Sequence, residues 1–454
     1  MSETKKTLTY VAAAALLLLV AWATAPRRAV PEAFADRGEP FFPGFEDPNA
    51  AKTLEVIEFD QTTGSAKPFK VTFSDGRWTI PSHHNYPADG ADRLAKTAAG
   101  VIGIRKDDFR SDNVADHVAC GVVDPLDETT TTLEGRGTRV TLKGEGEQVL
   151  ADFIIGKTPE GRTGYRFVRV PGQKRVYVAK MDIDLSTKFQ DWIEKDLLKV
   201  DRDAIREVVL KDYSIDEMTR RVDQRDQVTV EKRGGEWRMD RTPSGQELDI
   251  SKLNSLLTAI DELSIVGVRP KPAGLSASLS QTEASMPLTR ADLLSLQSRG
   301  YYLTRTGELL SNEGETQVET KDGVTYTLRF GEVVYGSGEA VTAGTDESDD
   351  QGSGPGENRY LFITTTFDPR LLPEPKAPAN LAFQGKAEAE LSPTDRENKR
   401  LFDAHEAWKK QLEEGKKASE DLNARFAGWY YVIPASAFEK VHLKRKDLLK
   451  AKKS

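Results

Sequence analysis

The 454 residues carry 64 Lys and Arg against 72 Asp and Glu, a net charge of −8 spread along the chain, so no basic field is present to attract nucleic acid. With 38% hydrophobic and 30% charged residues, the bulk of the chain is soluble globular material, and its length suits two or three domains. The single Cys, Cys120, excludes an intramolecular disulfide. The chain opens with Lys5-Lys6 before an uncharged apolar run from Leu8 to Ala23, near the short limit for a membrane helix. Two readings stand for the segment 1–28. One is a cleaved signal with Ala21-Trp22-Ala23 as its cleavage site; the other is an uncleaved single-pass anchor with Trp22 at the outer interface. Either exports the remainder. Residues 29–51 hold prolines and scattered aromatics, notably Phe41-Phe42, but no period, and read as a tether.

A first α+β repeat is expected over 52–200. Leu54 to Phe59 and the alternating Phe69-Lys70-Val71-Thr72-Phe73 read as strands, and Ser74-Asp75-Gly76 turns the chain into Arg77-Trp78-Thr79-Ile80. Asp89 is placed to cap a helix whose buried face carries Leu94, Ala98, Val101 and Ile102. Strands follow at Thr138 to Leu142, Ala151 to Ile155, Tyr165 to Val168 and Val176 to Val178. Phe189 to Ile193 is expected to open a closing helix that ends at Asp196-Leu197-Leu198-Lys199.

A second repeat is expected over 201–454. Ile205 to Leu210 answers the first strand, Trp237 answers Trp78, and Leu253, Leu256, Leu257, Ile260 and Leu263 line the matching helix after Asp249. Val324 to Gly331, Tyr360 to Ile363 and Tyr430 to Val432 answer the later strands, and Lys446-Asp447-Leu448-Leu449-Lys450 answers Lys195 to Lys199. The two Trp, about 160 residues apart, are expected to be buried on their helices. The second repeat is longer. Asp346 to Glu357 reads as a flexible acidic hairpin tip. A helical insertion spans about 377–427, interrupted near Gly415, with Leu401, Trp408 and Leu412 on a narrow stripe. That stripe suits either a partner's groove or its own domain.

Candidates for chemistry are few. His83-His84 and His117-Val118-Ala119-Cys120 have ligand-like spacing, but adjacent His on an extended segment point opposite ways, so surface His and one buried Cys are expected. His405 and His442 lie among charged residues and read as solvated. Gly156-Lys157-Thr158 lacks the upstream Gly of a phosphate loop, and Pro159 blocks the helix such a loop needs. The run Asp346 to Asp350 lacks the alternating ligands of a calcium loop. In Tyr301-Tyr302 and Tyr430-Tyr431 one ring of each pair is expected in the core. No catalytic residue, metal ligand or cofactor site is assigned.

The pattern resembles the bacterial family called domain of unknown function 4340. The residues that carry the resemblance are Trp78-Thr79-Ile80-Pro81, Pro87-Ala88-Asp89 and Asp196-Leu197-Leu198 in the first copy. In the second they are Trp237, Asp249, Leu309 to Gly314 and Leu328-Arg329-Phe330-Gly331. The resemblance implies tandem copies of a mixed, mostly antiparallel sheet with packed helices after one N-terminal membrane helix. It also implies a non-enzymatic accessory protein, anchored in the bacterial inner membrane with its bulk extracytoplasmic, associated with an ATP-driven (ABC-type) exporter. The alternative is a cell-envelope module that binds a glycan or peptide.

Overall fold

The computed structural model describes residues 14–15, 36–216, 219, 221–280, 288–336, 338–344 and 357–452. The apolar run Leu8 to Ala23, apart from residues 14 and 15, lies outside these, as does the acidic stretch Asp346 to Gly356. Among the described residues no helix is long and apolar enough to cross a membrane. The protein is α+β, with two large antiparallel sheets. Contacts divide it into two compact units, the first from residues up to 73 with 91–186, the second from 74–90 with 187–454. The expected boundary after residue 200 thus falls inside the second unit.

The strands are β1 (Thr53–Asp60), β2 (Ser65–Ser74), β3 (Arg77–Ile80) and β4 (Tyr86–Pro87), then helix α1 (Ala91–Ile102), β5 (Asp108–Ser111) and the short α2 (His117–Cys120). β6 (Thr138–Lys143), β7 (Val149–Ile155), β8 (Tyr165–Arg169) and β9 (Val176–Lys180) follow. The first unit's strands lie in the order β2-β1-β6-β7-β8-β9-β5. Register places Val56 opposite both Phe69 and Val140, and all three are buried. This is what period-two alternation produces when one face meets a core. α1 buries Leu94, Thr97, Ala98 and Val101. It begins at Ala91, and the Asp89 N–H donates to the Trp192 carbonyl.

Residues 36–51 are not a free tether. Phe41 is buried with its ring edge-on to Tyr177 at 5.3 Å, Phe42 lies 5.4 Å from Phe153, and the Phe41 N–H donates to Ile104 O. Irregular backbone carries no period, which is why this packing is invisible in the sequence.

The second unit contains the hairpin β3–β4, then β10 (Ile205–Asp216), β11 (Arg221–Arg233), β12 (Glu236–Met239), β13 (Gln246–Leu248), α3 (Ile250–Asp261) and β14 (Gly267–Pro270). Next come α4 (Ala273–Ser280), α5 (Arg290–Gln297), β15 (Tyr301–Leu303), β16 (Leu309–Ser311), β17 (Glu315–Thr320), β18 (Val324–Val334) and α6 (Gly338–Thr342). β19 (Asn358–Phe367), α7 (Pro393–Ala427), β20 (Trp429–Ile433), α8 (Ala435–Val441) and β21 (Leu449–Ala451) complete it. The sheet order is β12-β11-β10-β17-β18-β19-β20-β14. Asp249 caps α3 by accepting from the N–H groups of Ser251 and Lys252. Trp78 and Trp237, on the short strands β3 and β12, are only half-buried. Tyr430 and Tyr431 are both buried, so β20 is covered on both sides.

α7 runs unbroken for 35 residues, about 52 Å, behind a Ser392–Asp395 capping box. Its C-terminal half lies on the sheet. Gly415, Ser419, Leu422 and Phe426 are buried, and the Asn423 side chain bonds both the N–H and the carbonyl of Thr365. Gly415 does not interrupt the helix. A Cβ there would stand 2.4 Å from the Asp322 carbonyl, so glycine lets the helix approach the β17–β18 turn. The N-terminal half is wrapped by its own chain: Trp408 Nε1 donates to Leu372 O at 2.9 Å, and Phe402 lies 5.6 Å from Phe383. Leu401 and Leu412 are half-buried. Within the stripe, Trp408 is thus tied to its own chain.

Candidate functional site

The expected closing helix at Phe189 is a single 3-10 turn, Phe189–Asp191. Trp192, Ile193, Leu197, Leu198 and Val200 are all buried, and apolar groups at adjacent positions cannot share one helical face. The Asp-Leu-Leu motif instead builds a tight turn. An Asp196 carboxylate oxygen accepts the Lys199 N–H at 2.6 Å, Lys199 takes a left-handed φ of 52°, and an Arg425 guanidinium N–H donates to Asp196 O at 2.9 Å. Both leucines are anchored below while Glu194, Lys195 and Asp196 remain exposed. This ridge separates two grooves, both within the second unit.

One groove, about 540 Å³, has Val200, Ala204, Val324 and Leu422 in its floor. Asp322, Lys321, Asp421 and Arg425 border it. Burial, followed by the charges of Asp196 and Asp322, pushes the Tyr326 phenol in this groove up to about 12, so it stays a neutral donor at ordinary pH. The other groove, about 610 Å³, has Ile193, Leu197, Ile265 and Val266 below and Asp191, Glu194, Asp196, Asp261 and Glu262 around it. α3 ends here, with Glu262 at its C-cap and no basic residue in its last turn.

The histidines are not where charge-rich surroundings suggest. His83 is buried, hydrogen-bonded through Nε2 to Thr342 Oγ1 at 2.9 Å and stacked on Phe189 at 4.6 Å. Burial, with help from His84 and Arg269, pushes its pKa down to about 4. His84 Nε2 donates to Ala343 O at 2.6 Å. His117 is buried and its Nε2 donates to Lys174 O at 2.8 Å. His442 stacks on Phe438 at 4.8 Å with Phe330 at its edge, and burial pushes it down to about 4. His405 is paired with Glu374 at 3.1 Å beside Trp408. His83, His117 and His442 are therefore structural rather than surface groups; their partners are distant in sequence, which local composition cannot reveal. Cys120 is buried as expected, and burial raises its thiol pKa. Gly156 serves close packing, since a Cβ there would meet Cys120 O at 2.4 Å. Among the described residues no group of three or more His, Cys, Asp or Glu is arranged to hold a metal.

Sequence reasoning missed three inward cations, Arg269, Lys271 and Arg299. Each meets a helix C-terminus. Arg269 donates to the carbonyls of Ala340 and Val341 in α6, and Lys271 Nζ donates to Phe426 O of α7 at 3.1 Å. Arg299 donates to Ser295 O of α5 at 3.0 Å. Lys271 also sits 3.8 Å over the Phe362 ring, and burial holds its amine well below the usual lysine range. Cations at this end complement the helix dipole, so these groups act as caps. The alternating Arg269-Pro270-Lys271 was the available signal, because it places both cations on one face.

Residues 78–278 match the model of the family described as Domain of unknown function (DUF4340). No curated protein and no solved structure matches the chain.

Proposed function

We propose that this chain is a non-enzymatic accessory protein, anchored in the bacterial inner membrane by its N-terminal run, with its bulk extracytoplasmic and associated with an ATP-driven export system. The observation that carries the reading is where the chain commits its chemistry-bearing side chains. All five His and the one Cys have internal packing or hydrogen-bonding roles. The surfaces left open are grooves with apolar floors and charged rims, suited to holding a protein segment. The Leu8 to Ala23 run with its flanking cations supports anchoring.

We also propose that the two units derive from tandem copies. The orders β2-β1-β6-β7-β8-β9-β5 and β11-β10-β17-β18-β19-β20-β14 trace the same walk, with the strand after the helix joining the far edge each time.

The test is alkaline carbonate washing of membranes from cells making the tagged full chain, N-terminal sequencing of the product, and crosslinking with mass spectrometry. Retention with an intact N-terminus and enrichment of a transporter subunit are expected. A soluble product beginning at Thr24, or no transporter subunit above a mock control, would sink the reading.

A further inference from the structure

Of the two grooves, the one between the Asp196 ridge and the end of α3 has a one-sided charge. Five carboxylates, Asp191, Glu194, Asp196, Asp261 and Glu262, and one lysine, Lys195, line it, with Lys199 standing 3.8 Å from Glu194 at its border. The other groove, in contrast, carries acids and bases in equal number. Two of the five acids stand at the C-terminus of α3, the negative end of its dipole, where cations are the stabilising choice and where its last turn has none. This placement is locally unfavourable for folding. Beneath the acids, Ile193, Leu197 and Ile265 are nearly inaccessible, at 6%, 2% and 3% exposure, and Val266 is half-buried, so the floor is apolar and firmly seated.

We propose that this groove docks a cationic amphipathic segment of a protein partner, one that presents Lys or Arg to the rim and one or two large apolar side chains to the floor. The proposal rests on the accessory-protein reading above and names the chemistry of its partner. Charge complementarity selects the occupant. Anionic lipid headgroups and nucleic acid are repelled by the rim, while a basic segment is both steered to the groove and neutralises the crowded helix end. The Asp-Leu-Leu motif thereby gains a role: its leucines fix the floor and its aspartate turns the ridge outward.

The probe is a short synthetic peptide alternating Lys and Leu, titrated calorimetrically into the full chain in neutral detergent. One-site binding that weakens as salt is raised is expected, with no binding of a Glu/Leu counterpart. A Lys/Ser counterpart should bind roughly tenfold more weakly or worse, because the floor goes unfilled. The double variant Asp261→Asn/Glu262→Gln should lose roughly tenfold in affinity for the Lys/Leu peptide. Its thermal midpoint should hold or rise, since repulsion at the helix end is relieved, and that separates lost binding from lost folding. Equal affinity of variant and wild type, or equal affinity for the Lys/Ser and Lys/Leu peptides, overturns the proposal. Crosslinking in membranes distinguishes the two levels. If the variant loses the peptide but keeps its transporter partner, the groove is not the docking place and the accessory reading stands. If the peptide behaves as expected but no transporter subunit is found, the accessory reading alone falls.

Discussion

Trp192 is the largest fully buried side chain among the described residues, while Trp78 and Trp237, the more conspicuous in the sequence, are half-buried. Replacing a buried large aromatic by Ala removes its transfer energy and leaves a cavity. Trp192→Ala is expected to destabilise the second unit by about 3–5 kcal/mol, and Trp237→Ala by less than half as much. Denaturant titration compares the two; a larger cost at Trp237 would refute this ordering. The sequence made Trp237 prominent through its neighbours, Gly234-Gly235 and the following helix. Nothing local marked Trp192, whose packing depends on segments far away in the chain.

At the level of the element, α7 shows how a residue's meaning depends on what lies opposite. Glycine in an exposed helix is worth about 1 kcal/mol less than alanine, so on propensity alone Gly415→Ala should stabilise. The Asp322 carbonyl reverses the sign. A methyl group at 2.4 Å from it forces the helix off the sheet, and overpacking of this kind costs about 1–3 kcal/mol. We expect Gly415→Ala to lower the thermal midpoint; a rise would show that the helix can shift without cost. The helix itself was legible, because its charged face and narrow apolar stripe obey local rules. The strands were legible for the same reason, since alternation such as Phe69-Lys70-Val71-Thr72-Phe73 records which face is covered. Gly415 was not, because close approach to another segment leaves no periodic trace. The candidate grooves were legible only in part. Asp196-Leu197-Leu198 stood out as a motif, but the acids at Asp261 and Glu262 gained meaning only when the fold brought them opposite it.

Over the whole molecule, two buried histidines add to the loss of stability in mild acid. His83 and His442 are each held neutral, with pKa values pushed down from 6.5 to about 4 mainly by burial. The unfolded chain therefore binds these protons at higher pH than the folded one. Their contribution is fully present above about pH 6.5 and is lost as pH falls towards 4, at up to about 3 kcal/mol for each group. Urea midpoints measured from pH 7 to pH 4 should fall, and the fall should be shallower for His83→Gln than for wild type. An unchanged slope in that variant would mean that His83 ionises freely in the folded state.

The second unit is assembled from two separated pieces of sequence, and His83 finds Thr342 only after 259 further residues. A ribosome adding roughly 5–20 residues per second leaves that histidine without its partner for roughly ten to fifty seconds. During that interval Ile80 and Tyr86, both buried in the finished protein, lack the cover that later segments supply. The β3–β4 hairpin therefore waits for partners that are added only near the end of the chain.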